Sequence, residues 1–176
     1  YMNILESSFI KISNLIRNSN NITLGQENSS QNQTGDLVKQ LDILSHNIIV
    51  EEIKTLYDIS GYISEEADEI CITSPNGKYI IAFDPLDGSS NINCNVTVGT
   101  IYGIYLWDSL NNEIGPIVDA GYCLYGPCTN LVRVEGALVK MYQLNNNNNF
   151  DFISNLSLEG KNSKIYSLNE SNSFKI

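Results

Sequence analysis

Gly77-Lys78-Tyr79-Ile80-Ile81-Ala82-Phe83-Asp84-Pro85-Leu86-Asp87-Gly88-Ser89-Ser90-Asn91 is the stretch whose reading settles the architecture. Tyr79 to Phe83 is a compact apolar run with β-branched members, the pattern of a buried strand, and Asp84-Pro85 is expected to stop it. A strand ending there delivers Asp84 and Asp87 to one edge of a sheet, and Gly88 lets the backbone turn closely toward a ligand. If Gly88-Ser89-Ser90 opens a helix, its first N–H groups form an anion cradle beside the carboxylates. The competing reading is a solvated turn, because Asp, Pro, Gly, Ser and Asn are ordinary turn residues. The longer pattern, placed directly behind a buried strand, favours the functional reading.

Upstream, Leu5, Phe9, Ile12 and Ile16 recur one helical turn apart and predict an amphipathic helix ending near Asn18. The stretch from Asn18 to Gly35 is crowded with Asn, Ser, Gln and Gly and reads as a polar loop. A second helix is expected from about Asp36 to Leu56, with Leu37, Leu41, Leu44 and Ile48 as its apolar stripe. Downstream, Val96 to Trp107, Ile117 to Tyr125 and Leu131 to Leu144 are strand candidates rich in Val, Ile, Tyr and Leu. The Asn run 145–149 reads as a hairpin tip, and Ile165 to Leu168 as the last strand. The fold class that follows is α/β: two N-terminal helices packed on a mixed β-sheet.

Two further acidic groups accompany the central stretch. Ser64-Glu65-Glu66 follows an apolar segment; adjacent carboxylates in isolation usually mark a solvated surface, and these gain weight from their company. Asp36 and Asp42 stand six positions apart, about 240° around a helix, so a joint role requires Asp36 to lie at the helix start.

Composition narrows the class of partner. Twenty acidic against ten basic side chains give a formal charge of −10, which disfavours nucleic acid. An anionic ligand held by so acidic a chain calls for divalent cations between the two. No run of eighteen apolar residues is present, so no membrane association is expected. The four cysteines form no C-x-x-C pair, and a reducing, cytoplasmic setting is expected.

Taken together, Thr34 to Ser45, Ile63 to Glu66, Gly77 to Asn91, Val98 to Tyr105 and Lys164 to Glu170 resemble, in order, motifs of the fructose-1,6-bisphosphatase family. The resemblance implies a layered sugar-phosphatase fold, with residues 1–176 as a single N-terminal domain lacking the C-terminal substrate domain. It also implies hydrolysis of the 1-phosphate of fructose 1,6-bisphosphate, supported by Mg²⁺ or Mn²⁺ at two or three ions per site. By resemblance, Glu65, Asp84 and Asp87 are metal ligands, assisted by the Leu86 carbonyl. Glu66 and Asp42 orient and deprotonate the attacking water, with Asp36 beside the metal site. The N–H groups of Gly88, Ser89 and Ser90, with Asn91 adjoining, hold the transferred phosphoryl group, and Asn169 touches the distal phosphate. A homo-oligomer is implied as well.

Some positions depart from the family pattern: Ser171 stands for Gly, Asn93 for Asp, and His46 for Asn. His46 is read as a hydrogen-bonding or surface histidine rather than a general base. Other readings remain open at this point: sedoheptulose-1,7-bisphosphatase, with which Tyr125-Gly126-Pro127 shares some likeness; an inositol-monophosphatase-like enzyme; and a noncatalytic domain that keeps the fold.

Overall fold

The computed structural model describes residues 2–18 and 33–157. Helix α1 (Met2–Arg17) and helix α2 (Gln33–Ile53) precede strands β1 (Ile59–Ser64), β2 (Cys71–Ile72) and β3 (Tyr79–Asp87). A 3₁₀ helix (Ser89–Cys94) leads into β4 (Val98–Asp108) and β5 (Glu113–Tyr125). Strands β6 (Thr129–Glu135), β7 (Leu138–Leu144) and β8 (Phe150–Leu156) complete an eight-stranded sheet in the order β2-β1-β3-β4-β5-β6-β7-β8. Among the described residues only β1 and β3 pair in parallel; every other neighbouring pair is antiparallel.

Both helices lie on one face of the sheet. Leu5, Phe9 and Ile12 of α1 are buried, as the spacing predicts, and Leu41, Ile49, Val50 and Ile53 of α2 complete the helix layer. Opposite them, Ile59, Phe83, Tyr102, Ile104 and Leu131 form the sheet side of the same core. Each such side chain contributes about 1.5–3 kcal/mol through removal from water. Phe83 of β3 pairs with Tyr102 of β4, both on the helix face; the next pair, Asp84 with Ile101, therefore faces the opposite side, where Ile101 is exposed.

Several boundaries differ from the sequence reading, among them the start of β5, which lies at Glu113 rather than Ile117. Helix α2 begins at Gln33 and ends at Ile53, three residues earlier at each end than expected; residues 19–32 lie outside the described residues. Strand β3 does not stop at Asp84-Pro85 but runs on to Asp87 through a register shift. Proline is tolerated there because a bulge needs no ladder N–H from it. The segment Leu131 to Leu144 is two strands, turned at Gly136 with φ 63°. The Asn run 145–149 forms the expected hairpin tip: the Asn145 N–H donates to the Asn149 carbonyl at 2.8 Å. The expected strand at Ile165–Leu168 lies outside the described residues.

Candidate metal and phosphate site

Parallel pairing brings the acidic segments together. Ser64 of β1 lies opposite Phe83 of β3, so the following residues, Glu65 and Asp84, leave their strands side by side. The Glu65 N–H donates to the Phe83 carbonyl at 3.2 Å and fixes that juxtaposition. Ligand sites in such sheets lie outside the carboxyl ends of parallel strands.

A bulge in β3 adds the third acid. Asp84 opposes Ile101 and Asp87 opposes Gly99, so Pro85 and Leu86 together oppose the single residue Thr100. Residues three apart on a regular strand face opposite sides of the sheet. The extra residue returns Asp87 to the side of Asp84. Burial raises the Asp84 pKa most, followed by its hydrogen bond with Glu65; the Leu86 N–H, 3.0 Å from Asp84 Oδ1, opposes, and the charges of Glu65 and Asp87 add. The result is a carboxyl pushed up to about 7. Acids crowded this closely share a proton when no cation lies between them.

Two more side chains reach the same edge. Asp42, on α2, accepts a hydrogen bond from the Ser89 hydroxyl and feels both Glu65 and Glu66; burial dominates and raises its pKa. The Glu66 N–H donates to Ser64 Oγ at 3.2 Å, and that oxygen lies 2.8 Å from His46 Nδ1. His46 packs against Tyr62 and Phe83, and burial lowers its pKa. It is a hydrogen-bonding histidine that supports the Glu65-Glu66 turn through Ser64. Composition alone gave Ser64 no distinguishing mark, since a lone serine at a strand end is unremarkable until its register is known.

Beyond Asp87, Gly88 adopts φ 73°, the left-handed region, and caps the 3₁₀ helix. An αL residue followed by helical ones turns successive N–H groups toward one concavity, a nest for anions. The Asn91 N–H donates to the Gly88 carbonyl at 2.8 Å and closes the turn. The Asn91 amide itself packs against Gly88. A hollow of about 220 Å³ borders Asp87, Gly88, Asn91 and Thr100. The Asp36 backbone lies in the first turn of α2. The Asp36 side chain and Asn169 lie outside what is described.

The donor set fits a hard divalent cation. Its atoms are carboxylate and carbonyl oxygens, which suit Mg²⁺ or Mn²⁺. Among the described residues no group of three or more His, Cys, Asp and Glu side chains already stands at metal-holding spacing.

These features define a class: a layered α/β domain whose parallel strand ends and adjoining helix gather carboxylates beside an anion nest. The family model for fructose-1,6-bisphosphatase, N-terminal domain, matches residues 1–155, and the chain belongs to the fructose-1,6-bisphosphatase family. It is 41% identical over 133 residues to fructose-1,6-bisphosphatase class 1 of Campylobacter hominis, covering 74% of this chain and 46% of that protein. It is 39% identical over 153 residues to fructose-1,6-bisphosphatase 1 of Rattus norvegicus, covering 81% of this chain and 42% of that protein. The crystal structure of Leishmania major fructose-1,6-bisphosphatase in holo form superposes with a TM-score of 0.78 at 30% identity, covering 98% of this chain and 55% of that one. The chain thus spans under half the length of these two curated relatives.

Proposed function

We propose that this chain supplies the metal- and phosphate-binding half of an enzyme that hydrolyses the 1-phosphate of fructose 1,6-bisphosphate, acting in the cytoplasm on a soluble sugar bisphosphate. The observation that carries the reading is the convergence of Glu65, Asp84 and Asp87, produced by the β1–β3 register and the β3 bulge. Glu65, Asp84, Asp87 and the Leu86 carbonyl would hold Mg²⁺ or Mn²⁺, two or three ions per site. When bound, such ions supply Lewis-acid stabilisation of phosphoryl oxygens and lower the pKa of water.

The chain's own groups supply the rest. Glu66 and Asp42 face the same edge and orient the attacking water, one of them accepting its proton. Asp36 adds negative charge at the start of α2. The Gly88, Ser89 and Ser90 N–H groups hold the phosphoryl oxygens in line, and Asn169 is assigned to the distal phosphate. No nucleophilic side chain takes part. A homo-oligomer is the proposed state. Among the described residues no helix is long and apolar enough to cross a membrane.

Calorimetric titration with Mn²⁺ tests the reading. Outer-sphere changes cost about 10–100-fold in metal affinity, so loss of a direct ligand in Asp84→Asn or Asp87→Asn is expected to cost at least about 100-fold. Equal, negligible binding by the wild-type chain and both variants sinks the proposal. Phosphate release from fructose 1,6-bisphosphate against sedoheptulose 1,7-bisphosphate then decides the sugar.

A further inference from the structure

The residue opposite the β3 bulge is a buried hydroxyl with a defined set of partners. Thr100, fully buried, donates from Oγ1 to the Pro85 carbonyl at 2.8 Å. The same oxygen lies 2.7 Å from the Tyr125 hydroxyl. A carbonyl only accepts and a threonine hydroxyl carries one proton, so Thr100 donates to Pro85 and must accept from Tyr125. Cys123, directly across the β4–β5 ladder from Thr100, interacts with Tyr125. The direction is set for the two hydroxyls: Tyr125 donates to Thr100, and Thr100 to the Pro85 carbonyl.

The terminus of that chain is the point where the acidic strand departs from regular pairing. At a bulge the ladder is disrupted and the extra residue is left without its usual partner. Here a side chain of β4 takes over at Pro85, one residue from Asp84 and two from Asp87. Burial keeps the Cys123 and Tyr125 protons in place, so the arrangement does not change across the physiological range.

We infer that Thr100 is a positioning residue, which clamps the Asp84–Asp87 bulge through the Pro85 carbonyl and so holds two carboxylates and the Leu86 carbonyl in register for a divalent cation. The inference rests on the metal-binding reading above. It adds a residue two strands from β1 that acts through the Pro85 carbonyl and governs how the ligands are presented.

Three variants of the chain separate positioning from packing. Thr100→Val removes the donor at nearly constant shape, Thr100→Ser restores it, and Tyr125→Phe removes a buried hydroxyl while leaving the Thr100–Pro85 bond. Thr100→Val is expected to weaken Mn²⁺ binding about tenfold by calorimetry. Thr100→Ser should bind as the wild type does, and Tyr125→Phe should lose thermal stability without losing Mn²⁺ affinity. Amide hydrogen exchange gives a metal-independent reading: the Leu86 N–H, bonded to Asp84 Oδ1 at 3.0 Å, should exchange faster in Thr100→Val than in Tyr125→Phe. If Thr100→Val does not fold, Thr100→Ala takes its place with the same expectations. Mn²⁺ affinity that falls in step with melting temperature across all variants, or unchanged Leu86 exchange, overturns the inference. A wild-type chain that binds no Mn²⁺ overturns the functional reading instead, and the exchange rates still decide whether Thr100 clamps the bulge.

Discussion

Asp84 occupies the least water-like position of the acids at the sheet edge. Burial, then Glu65, then the charge of Asp87 push its carboxyl up to about 7. A cation requires the ionised form, so protons and metal compete for it. Mn²⁺ affinity of the chain is therefore expected to rise with pH and to level off above about 7. Near pH 6, binding should release a proton, detected as a dependence of the calorimetric heat on buffer ionisation enthalpy. Asp84→Asn should abolish that dependence; a wild-type heat independent of buffer counts against the assignment. Glu65, Glu66, Asp84 and Asp87 were legible from the sequence as residue types, because they sit where apolar runs end; Asp42, inside a helix, was singled out only in company with them. Their supports were not. Ser64 and Thr100 are single hydroxyls inside strand-forming segments, and only the register shows that one meets His46 and the other the Pro85 carbonyl.

At the level of elements, local spacing carried the first helix, whereas in α2 Leu44 and Ile48 of the expected stripe are half-buried and Ile49, Val50 and Ile53 take the core; long-range pairing carried the site. The period of Leu5, Phe9 and Ile12 places α1 on the sheet without further information. By contrast, the strand reading ended at Phe83 because proline usually leaves a sheet, whereas β3 continues through a bulge that only its antiparallel partner β4 reveals. Likewise Glu135-Gly136-Ala137 is a weak turn signal beside Asn-Gly or Asp-Gly, so β6 and β7 read as one strand. The junction of β3 with the 3₁₀ helix makes its own prediction. Gly88 lies at φ 73°, and a Cβ there would meet the Asn91 amide at 3.2 Å. Gly88→Ala should cost about 1–2 kcal/mol in urea unfolding from the left-handed backbone alone. It should also weaken inorganic phosphate binding in the presence of Mn²⁺, because the nest must open to accommodate the methyl. A variant as stable as the wild type would mean the turn relaxes to negative φ.

Across the whole molecule, two groups of titrations act in opposite directions. Arg133 bridges Glu6 of α1 to Glu135 of β6, and Lys140 and Tyr142 of β7 bind the same Glu135 carboxylate. Lys140 first, then Tyr142, hold Glu135 down to about 2. Its stabilising contribution is present above its ordinary 4.5 and is lost as pH falls toward 2. Asp84, Asp42 and Asp119 are raised, each chiefly by burial, so the folded metal-free chain holds protons that the unfolded chain has released above 3.8. Their sign is the reverse: stability falls as pH rises from 3.8 through the folded value, about 7 for Asp84. The lowered His46 opposes them below 6.5, one group against three. Self-repulsion at a formal charge of −10 acts in the same direction as the three acids. In chelator, melting temperature should therefore peak between pH 3.8 and 4.5 and decline toward pH 7. A cation that binds only the folded state adds about 2.7 kcal/mol at a hundredfold excess over its dissociation constant. Saturating Mn²⁺ should accordingly raise the melting temperature at pH 7 while leaving it unchanged at pH 4, where protons hold Asp84 and Asp42. Thermal scans from pH 3 to 8 with and without Mn²⁺ read this directly. A metal-free melting temperature that climbs steadily from pH 4 to 7 would show that the acidic edge bears no uncompensated charge, and so gives a cation nothing to neutralise.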